Sequence, residues 1–231
     1  MPTRKKNSPT LEEEIALFEQ GYSFIAGVDE AGRGCLAGPV VAGAVILPRS
    51  DNTLELFAGV NDSKQLTAAA RERFYDHIMR HALAVGVGIG SVDVIDTRNI
   101  LQATKYAMEL ALQQLTPAPD ALLLDAIYLP RVALPQRSII KGDSRSLSIA
   151  AASIIAKVTR DRLMVELHKE YPHYGFDQHK GYGTATHLSA LHTHGVTPHH
   201  RRSFSPVSEM FGLFASVEND EAIITAVEPE Q

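Results

Sequence analysis

Residues 24–47 read FIAGVDEAGRGCLAGPVVAGAVIL, and the fold turns on this stretch. It opens as a buried strand, Phe24-Ile25-Ala26-Gly27-Val28. Two adjacent carboxylates follow, Asp29 and Glu30, then Gly32-Arg33-Gly34, and the apolar run resumes from Val40 to Leu47. Adjacent strand residues point to opposite faces, so two acids aimed at one ligand need a strand end or a bulge. An unpaired carboxylate in a sheet core is costly or shifts its pKa. The stretch is therefore either a solvated turn, since Asp and Gly are common in turns, or a metal or phosphate site.

Working outward, 24–28 and 39–47 read as two strands and 84–91 (AVGVGIGS) as a third, able to form an antiparallel meander although a helix falls between the second and third. That helix covers 66–81, with Thr67 as its N-cap. A short amphipathic helix covers 11–20 and ends at Gly21. Asp96 or Thr97 caps a helix running to about Leu115, which Thr116-Pro117-Ala118-Pro119 stops. Ala121 to Leu124 is a short apolar strand ending at Asp125. The longest helix covers 147–171, and its small residues Ala150-Ala151-Ala152-Ser153 let it lie close to a sheet. Thr184 starts another helix that Gly195 ends, and 211–214 reads as a last buried turn. The class is α/β, a sheet with helices packed on it.

The chain has 231 residues, 45% hydrophobic and 21% charged, as expected for a globular protein with a real core. A single cysteine, Cys35, excludes a disulfide framework or a cysteine-based zinc site within one chain and fits a reducing, cytoplasmic setting. No apolar run reaches the ~18 residues of a membrane span, and no signal-peptide apolar region follows the basic N-terminus. The net charge of −5 is unevenly spread. Residues 216–231 hold five acids and no Lys or Arg, so the rest is neutral. Residues 131–202 carry 11 Lys/Arg against five Asp/Glu, and residues 7–130 are acidic. The basic back half makes an anionic partner plausible.

Four acids stand out by context: Asp29, Glu30, Asp125 and Asp143. Strand carboxyl ends are where α/β sites are built, and Asp29 and Asp125 lie together if their strands are parallel neighbours. Asp143, in Lys141-Gly142-Asp143-Ser144, precedes the long helix and reads as its N-cap or as a ligand. Hard divalent cations prefer oxygen ligands, and two of them ~3.5–4 Å apart can clamp both oxygens of a phosphoryl displacement. Gly32 and Gly34 allow close backbone approach, and Arg33 can fork onto phosphate. Gly32-x-Gly34-x-x-Ala37 also matches a dinucleotide fingerprint, but that requires a helix directly afterwards, and Pro39-Val40-Val41 reads as strand. Tyr174-Gly175-Phe176 and residues 179–184 (HKGYGT) form an aromatic and basic cluster, either a stacking face or a turn over core aromatics. Lys64 reads as a phosphate contact or an exposed lysine. His192, His194, His199 and His200 are weak zinc candidates, and Arg160-Asp161-Arg162 reads as a charged helix face.

These segments together resemble the ribonuclease HII family: GVDEAGRGCLAGPVV at 27–41, DSKQL at 62–66, LLLD at 122–125, KGDS at 141–144, SIAAASIIAKVTRD at 148–161 and YGFDQHKGYGT at 174–184. The resemblance implies a ribonuclease H-like mixed five-stranded sheet flanked by helices, with a helical C-terminal segment. The chain is expected to divide into an N-terminus that reads as disordered (1–10), a ribonuclease H-like catalytic domain with the helical C-terminal segment (11–215) and an acidic tail (216–231). The resemblance also implies an endoribonuclease that hydrolyses RNA in RNA–DNA hybrids and cuts 5′ of ribonucleotides embedded in duplex DNA, leaving 3′-hydroxyl and 5′-phosphate ends. The implied cofactor is Mn²⁺ or Mg²⁺, held by Asp29, Glu30, Asp125 and Asp143. Gly32, Arg33 and Gly34 would contact the 2′-hydroxyl side of the junction, the group that separates RNA from DNA; Tyr182 would stack, and Lys64 would meet phosphate. A cytoplasmic monomer, acting in ribonucleotide excision repair, is expected. Ala126-Ile127 and the tail have no match in this pattern. Two rival readings are a DNA resolvase or exonuclease on a related sheet, and a nucleic-acid-binding module without activity.

Overall fold

The computed structural model describes residues 8–210. The expected turn at 211–214 and the acidic tail lie outside them, as do residues 1–7. Thr10, inside the stretch expected to be disordered, forms a parallel bridge with Ser146, exchanging main-chain hydrogen bonds with Arg145 and Leu147 at 2.9 Å.

In chain order the elements are α1 (Glu12–Phe18), β1 (Ile25–Ala31), β2 (Val40–Ile46), α2 (Thr53–Leu56), α3 (Ala68–His81), β3 (Ala84–Gly90), α4 (Val92–Arg98), α5 (Ile100–Gln113), β4 (Ala121–Asp125), β5 (Gln136–Ile139), α6 (Leu147–Glu170), α7 (Phe176–His179) and α8 (Ala185–His194). Short 3₁₀ turns cover Ser63–Gln65, Gly142–Ser144 and Pro172–Tyr174. The sheet is mixed and five-stranded, in the order β3-β2-β1-β4-β5. The first three strands form the antiparallel meander, and β4 and β5 add in parallel beside β1. The sequence pattern did not reveal β5: its four residues are polar except for Ile139, the one of them that is buried.

Helices cover both faces. On one, α6 passes so close to the sheet that a Cβ at Gly27 would collide with the Ser148 backbone and one at Gly43 would reach Ala152 O. Ala150, Ala151 and Ala152 are fully buried there, so small residues on both partners permit the contact. On the other face, α5 meets Gly86 and Gly88 of β3 in the same way, and Ala103, Ala107, Met108 and Ala111 pack on Ala26, Val28 and Ala42. The stretch expected to be one helix from Asp96 to about Leu115 is two. Ser91 caps α4, and Asn99 at φ +67° ends it and caps α5. Asp96 instead accepts hydrogen bonds from Arg202 N and Ser203 N at 2.9 and 3.0 Å, tying α4 to the C-terminal segment.

That segment, from α7 to Val207, packs Tyr174, Phe176, Leu191 and Val207 against Leu36, Ala37 and Met164. It sits on the residues that directly follow Gly34. At the other end, the Glu14 carboxylate accepts from Ser146 Oγ (2.6 Å), Ser148 N (2.9 Å) and Ser148 Oγ (2.6 Å), placing a negative charge at the α6 N-terminus. Among the described residues no helix is long and apolar enough to cross a membrane.

Candidate metal centre and nucleic-acid interface

Register builds the acidic centre. Val28 pairs with Leu124 in the parallel β1/β4 ladder, so Asp29 and Asp125 follow side by side on the face that α6 covers. Asp143 arrives from the 3₁₀ turn before α6. One carboxylate oxygen from each of Asp29, Asp125 and Asp143 lies within 4.8 Å of the others. The N-cap reading of Asp143 is corrected: Ser146 caps α6, accepting from Ile149 N at 3.2 Å. Gly142 N donates to Asp125 Oδ1 at 2.8 Å, fixing the turn that carries Asp143 against the end of β4.

Glu30 is not part of that close group. The strand runs on through Ala31 without the expected end or bulge, so the Glu30 Cβ leaves on the opposite face from that of Asp29, yet its long side chain still keeps the carboxylate within the influence of Asp125 and Lys64. Its Oε1 accepts from Arg33 at 3.2 Å, while its Oε2 is buried with no hydrogen-bond partner among the described residues. Lys64 Nζ lies 3.3 Å from Asp143 Oδ2 and is otherwise largely exposed. Arg71 shapes the Lys64 turn by donating to Ser63 O (2.9 Å) and Leu66 O (2.7 Å).

The electrostatics follow from burying like charges together. Burial raises Asp29 well above the usual carboxylate range, and Glu30, Asp125 and Asp143 push it further. Glu30 is raised chiefly by burial, against the pull of Arg33. Asp143 is raised by burial and by Asp62 and Asp125, with Lys64 opposing. Burial works against the Lys64 charge, yet Asp143, Asp29 and Asp62 outweigh it and raise its pKa. A divalent cation fits this centre: the donors are all carboxylate oxygens, they repel one another, and Glu30 leaves a buried oxygen unsatisfied beside them. Among the described residues the histidines form no comparable group of potential ligands.

The Gly32-Arg33-Gly34 loop follows β1 directly. Gly32 sits at φ +94°, and a Cβ there would strike the Arg160 guanidinium; a Cβ at Gly34 would meet nothing within 4 Å. Glycine at 32 is thus demanded by the protein itself, whereas glycine at 34 leaves backbone open to a ligand. Beneath the loop lie two fully buried arginines. Arg201 donates to the carbonyls of Gly32 (2.6 Å), Arg33 (2.8 Å) and Gly38 (2.9 and 3.0 Å). Arg160 donates to Pro39 O (2.9 Å), Ala37 O (3.0 Å) and Lys180 O (2.8 Å). Burial pulls Arg201 down to about 10, still charged at neutral pH.

Arg160 corrects the expectation of a charged helix face at 160–162. Only its neighbours behave that way: Asp161 pairs with Lys157 at 2.6 Å and Arg162 with Glu72 at 2.5 Å. The missed signal was spacing, since Ala152, Ala156, Arg160 and Met164 recur every fourth residue and all are buried. The aromatic cluster divides as well. Tyr174 and Phe176 are core residues, stacked at 5.4 Å. Tyr182 is 43% exposed, with Lys157 Nζ 5.9 Å from its ring centre. Leu36 N donates to Gly181 O at 2.8 Å, so the Tyr182 turn rests on the chain just past Gly34.

The family model for Ribonuclease HII matches residues 26–207. The chain is similar to the ribonuclease HII of Chloroflexus aurantiacus, 59% identical over 202 residues that cover 87% of this chain and 95% of that one. It is also similar to a ribonuclease HII of Bacillus cereus, 58% identical over 197 residues (85% and 75% of the two chains). Among solved structures, the ribonuclease H2 of Pyrococcus horikoshii OT3 superposes with a TM-score of 0.71 at 27% identity, over 84% of this chain and 99% of that one. With the sheet, the acidic centre and the Gly-Arg-Gly loop in place, these matches show a nuclease of the ribonuclease H type, an endonuclease, and the chain belongs to the ribonuclease HII family.

Proposed function

We propose that this enzyme hydrolyses the RNA strand of RNA–DNA hybrids and cuts on the 5′ side of ribonucleotides embedded in duplex DNA, leaving 3′-hydroxyl and 5′-phosphate ends. The observation that carries the reading is the meeting of two features at the end of β1. Asp29 joins Asp125 and Asp143 within 4.8 Å, and a few residues later Gly34 offers backbone with no protein atom near its missing side chain. Charge for phosphate chemistry and a close approach for a ribose stand next to each other.

Asp29, Asp125 and Asp143, with Glu30 at the margin, are the residues that would hold Mg²⁺ or Mn²⁺. When bound, two such ions would lower the pKa of the attacking water and neutralise charge on the leaving 3′ oxygen. The chain's own residues orient the substrate. Lys64, exposed beside Asp143, meets a phosphate of the cut strand. Arg33 and the main chain of Gly32 and Gly34 read the 2′-hydroxyl side of the junction, the distinction DNA lacks. Tyr182 stacks at the junction, with an exposed ring in reach of Lys157. A monomer acting in the cytoplasm in ribonucleotide excision repair completes the proposal.

The test is a duplex with one embedded ribonucleotide beside an all-DNA control, each with Mg²⁺ and with Mn²⁺. Cleavage confined to the ribonucleotide-containing strand, at its 5′ side, is expected. Equal cutting of both duplexes would overturn the reading in favour of a DNA nuclease.

A further inference from the structure

The C-terminal segment holds two fully buried histidines, His187 and His200, whose Nε2 atoms face each other at 3.0 Å. Two nitrogens so placed share one proton, and the surrounding donors settle which ring carries it. Thr197 N donates to His200 Nδ1 at 2.9 Å, so that nitrogen is an acceptor and the His200 proton sits on Nε2. His200 Nε2 then donates to His187 Nε2. The His187 proton is left on Nδ1, which lies 2.9 Å from the carbonyl of Tyr182. The order from first donor to last acceptor is single-valued: Thr197 N–H, His200, His187, Tyr182 carbonyl.

A third ring braces the same turn. His179 stacks on His187 with centroids 4.5 Å apart and planes 13° from parallel. Its Nδ1 accepts from Gly181 N at 3.1 Å and its Nε2 lies 2.6 Å from Tyr174 O. The relay also touches the glycine loop, because His200 forms an antiparallel bridge with Ala37 and Arg201 N donates to Leu36 O at 2.8 Å. From the Tyr182 carbonyl to the strand that follows Gly34, the path is buried and built of hydrogen bonds with fixed direction.

We infer that His187 and His200 are positioning residues for substrate recognition: their directional hydrogen-bond relay sets the Tyr182 main chain and so the presentation of its ring. This rests on the reading of Tyr182 as the stacking residue. Neither imidazole touches substrate. Both must stay neutral and in one tautomer, because a second proton on either ring removes the acceptor that the chain needs. Asn at 187 keeps an N–H where Nδ1 stood, facing the Tyr182 carbonyl, but leaves His200 Nε2–H without its acceptor, and Leu supplies neither.

Two measurements on the full chain decide it. Imidazole ¹⁵N–¹H correlation spectra at neutral pH are expected to place the proton on Nδ1 of His187 and on Nε2 of His200; the opposite tautomer at either ring overturns the inference. Second, kcat/KM is compared for a single embedded ribonucleotide and for a continuous RNA–DNA hybrid. His187→Leu and His200→Leu are expected to lower that ratio by about fivefold or more, as Tyr182→Ala does, while His187→Asn, which keeps only the bond to the Tyr182 carbonyl, falls between His187→Leu and wild type. If Tyr182→Ala leaves the ratio unchanged, the stacking role of Tyr182 fails. If Tyr182→Ala lowers it and His187→Leu does not, or if His187→Asn is as damaged as His187→Leu, the relay alone is overturned. Should the leucine variants not fold, the wild-type tautomers still decide between the relay and its absence.

Discussion

The Arg201 guanidinium donates to the Gly32 carbonyl at 2.6 Å, from a residue 169 positions later in the chain. The loop that would read a ribose is thus held from below by the C-terminal segment. With its carbonyls of Gly32 and Arg33 turned inward onto Arg201, the loop keeps its conformation without substrate. Replacing Arg201 by Met removes the donor for three carbonyls, those of Gly32, Arg33 and Gly38. Each orphaned buried acceptor costs about 1–3 kcal/mol, so urea unfolding should show a loss of about 3 kcal/mol or more. Arg201→Lys keeps the charge but cannot reach all three, and should fall between. Wild-type stability in Arg201→Met would show that the loop is held by something else.

Asp125→Asn leaves Gly142 N an amide oxygen to bond and removes one of the three carboxylates of the acidic centre. Turnover should fall by more than the roughly 10–100-fold typical of altering a metal's outer-shell partner, with binding of an RNA–DNA hybrid retained. Adding Mn²⁺ should raise the wild-type melting temperature and leave that of the variant nearly unchanged. Without metal, Asp29→Asn should melt higher than wild type, because burial and its acidic neighbours penalise the Asp29 charge. Normal turnover by Asp125→Asn would remove the acidic centre from the chemistry.

Much of this architecture was readable from residue patterns, and the exceptions have physical causes. Short apolar runs rich in β-branched residues and Gly marked β1 and β2, alternation of apolar residues with Gly marked β3, and Thr67 and Thr184 announced their helices by accepting from the N–H three residues on. Asp125 was legible because an apolar run ended on it. Glu30 was legible as an acid next to Asp29, but strand register was needed to see that Asp29 rather than Glu30 joins Asp125 and Asp143 in the close group of three. The break at Asn99 hid inside a continuous helical pattern, since the residue is ordinary in composition and unusual only in its positive φ. Arg160 and Arg201 hid for a related reason. Charge normally signals a solvated face, and only the carbonyls of a loop more than 100 residues away make these two compatible with burial.

The histidine relay gives stability an acid limb. Burial lowers His187 to about 4, with Tyr182 O opposing and His179 adding. Burial lowers His200 to about 3, helped by His187, His199 and His179. Their unfolded values lie near 6.5. Between the folded and unfolded values the unfolded chain binds more protons, so stability is full above about pH 6.5 and falls as pH drops toward 4. Each histidine contributes up to about 1.4 kcal/mol per pH unit in that window. His200→Gln should therefore flatten the pH dependence of unfolding free energy between pH 7 and 5 relative to wild type. Parallel curves for the two proteins would show that His200 does not titrate in this way.

Gly32 and Gly34 should separate folding from recognition, although only one residue lies between them. At Gly32 a methyl group meets two penalties, a backbone at φ +94° and the Arg160 guanidinium beneath it, so Gly32→Ala should lose about 1–2 kcal/mol or more of stability. At Gly34 the same methyl group meets no protein atom within 4 Å and the backbone is not at positive φ. Gly34→Ala should unfold within about 0.5 kcal/mol of wild type. Its effect should appear only with substrate: a raised KM and a smaller preference for the ribonucleotide-containing duplex over DNA. A position unconstrained by its own protein is glycine for the sake of something that approaches from outside. Steady-state kinetics and urea unfolding on the two variants test it together, and unaltered kinetics in Gly34→Ala would mean that the ribose does not approach the main chain at that position.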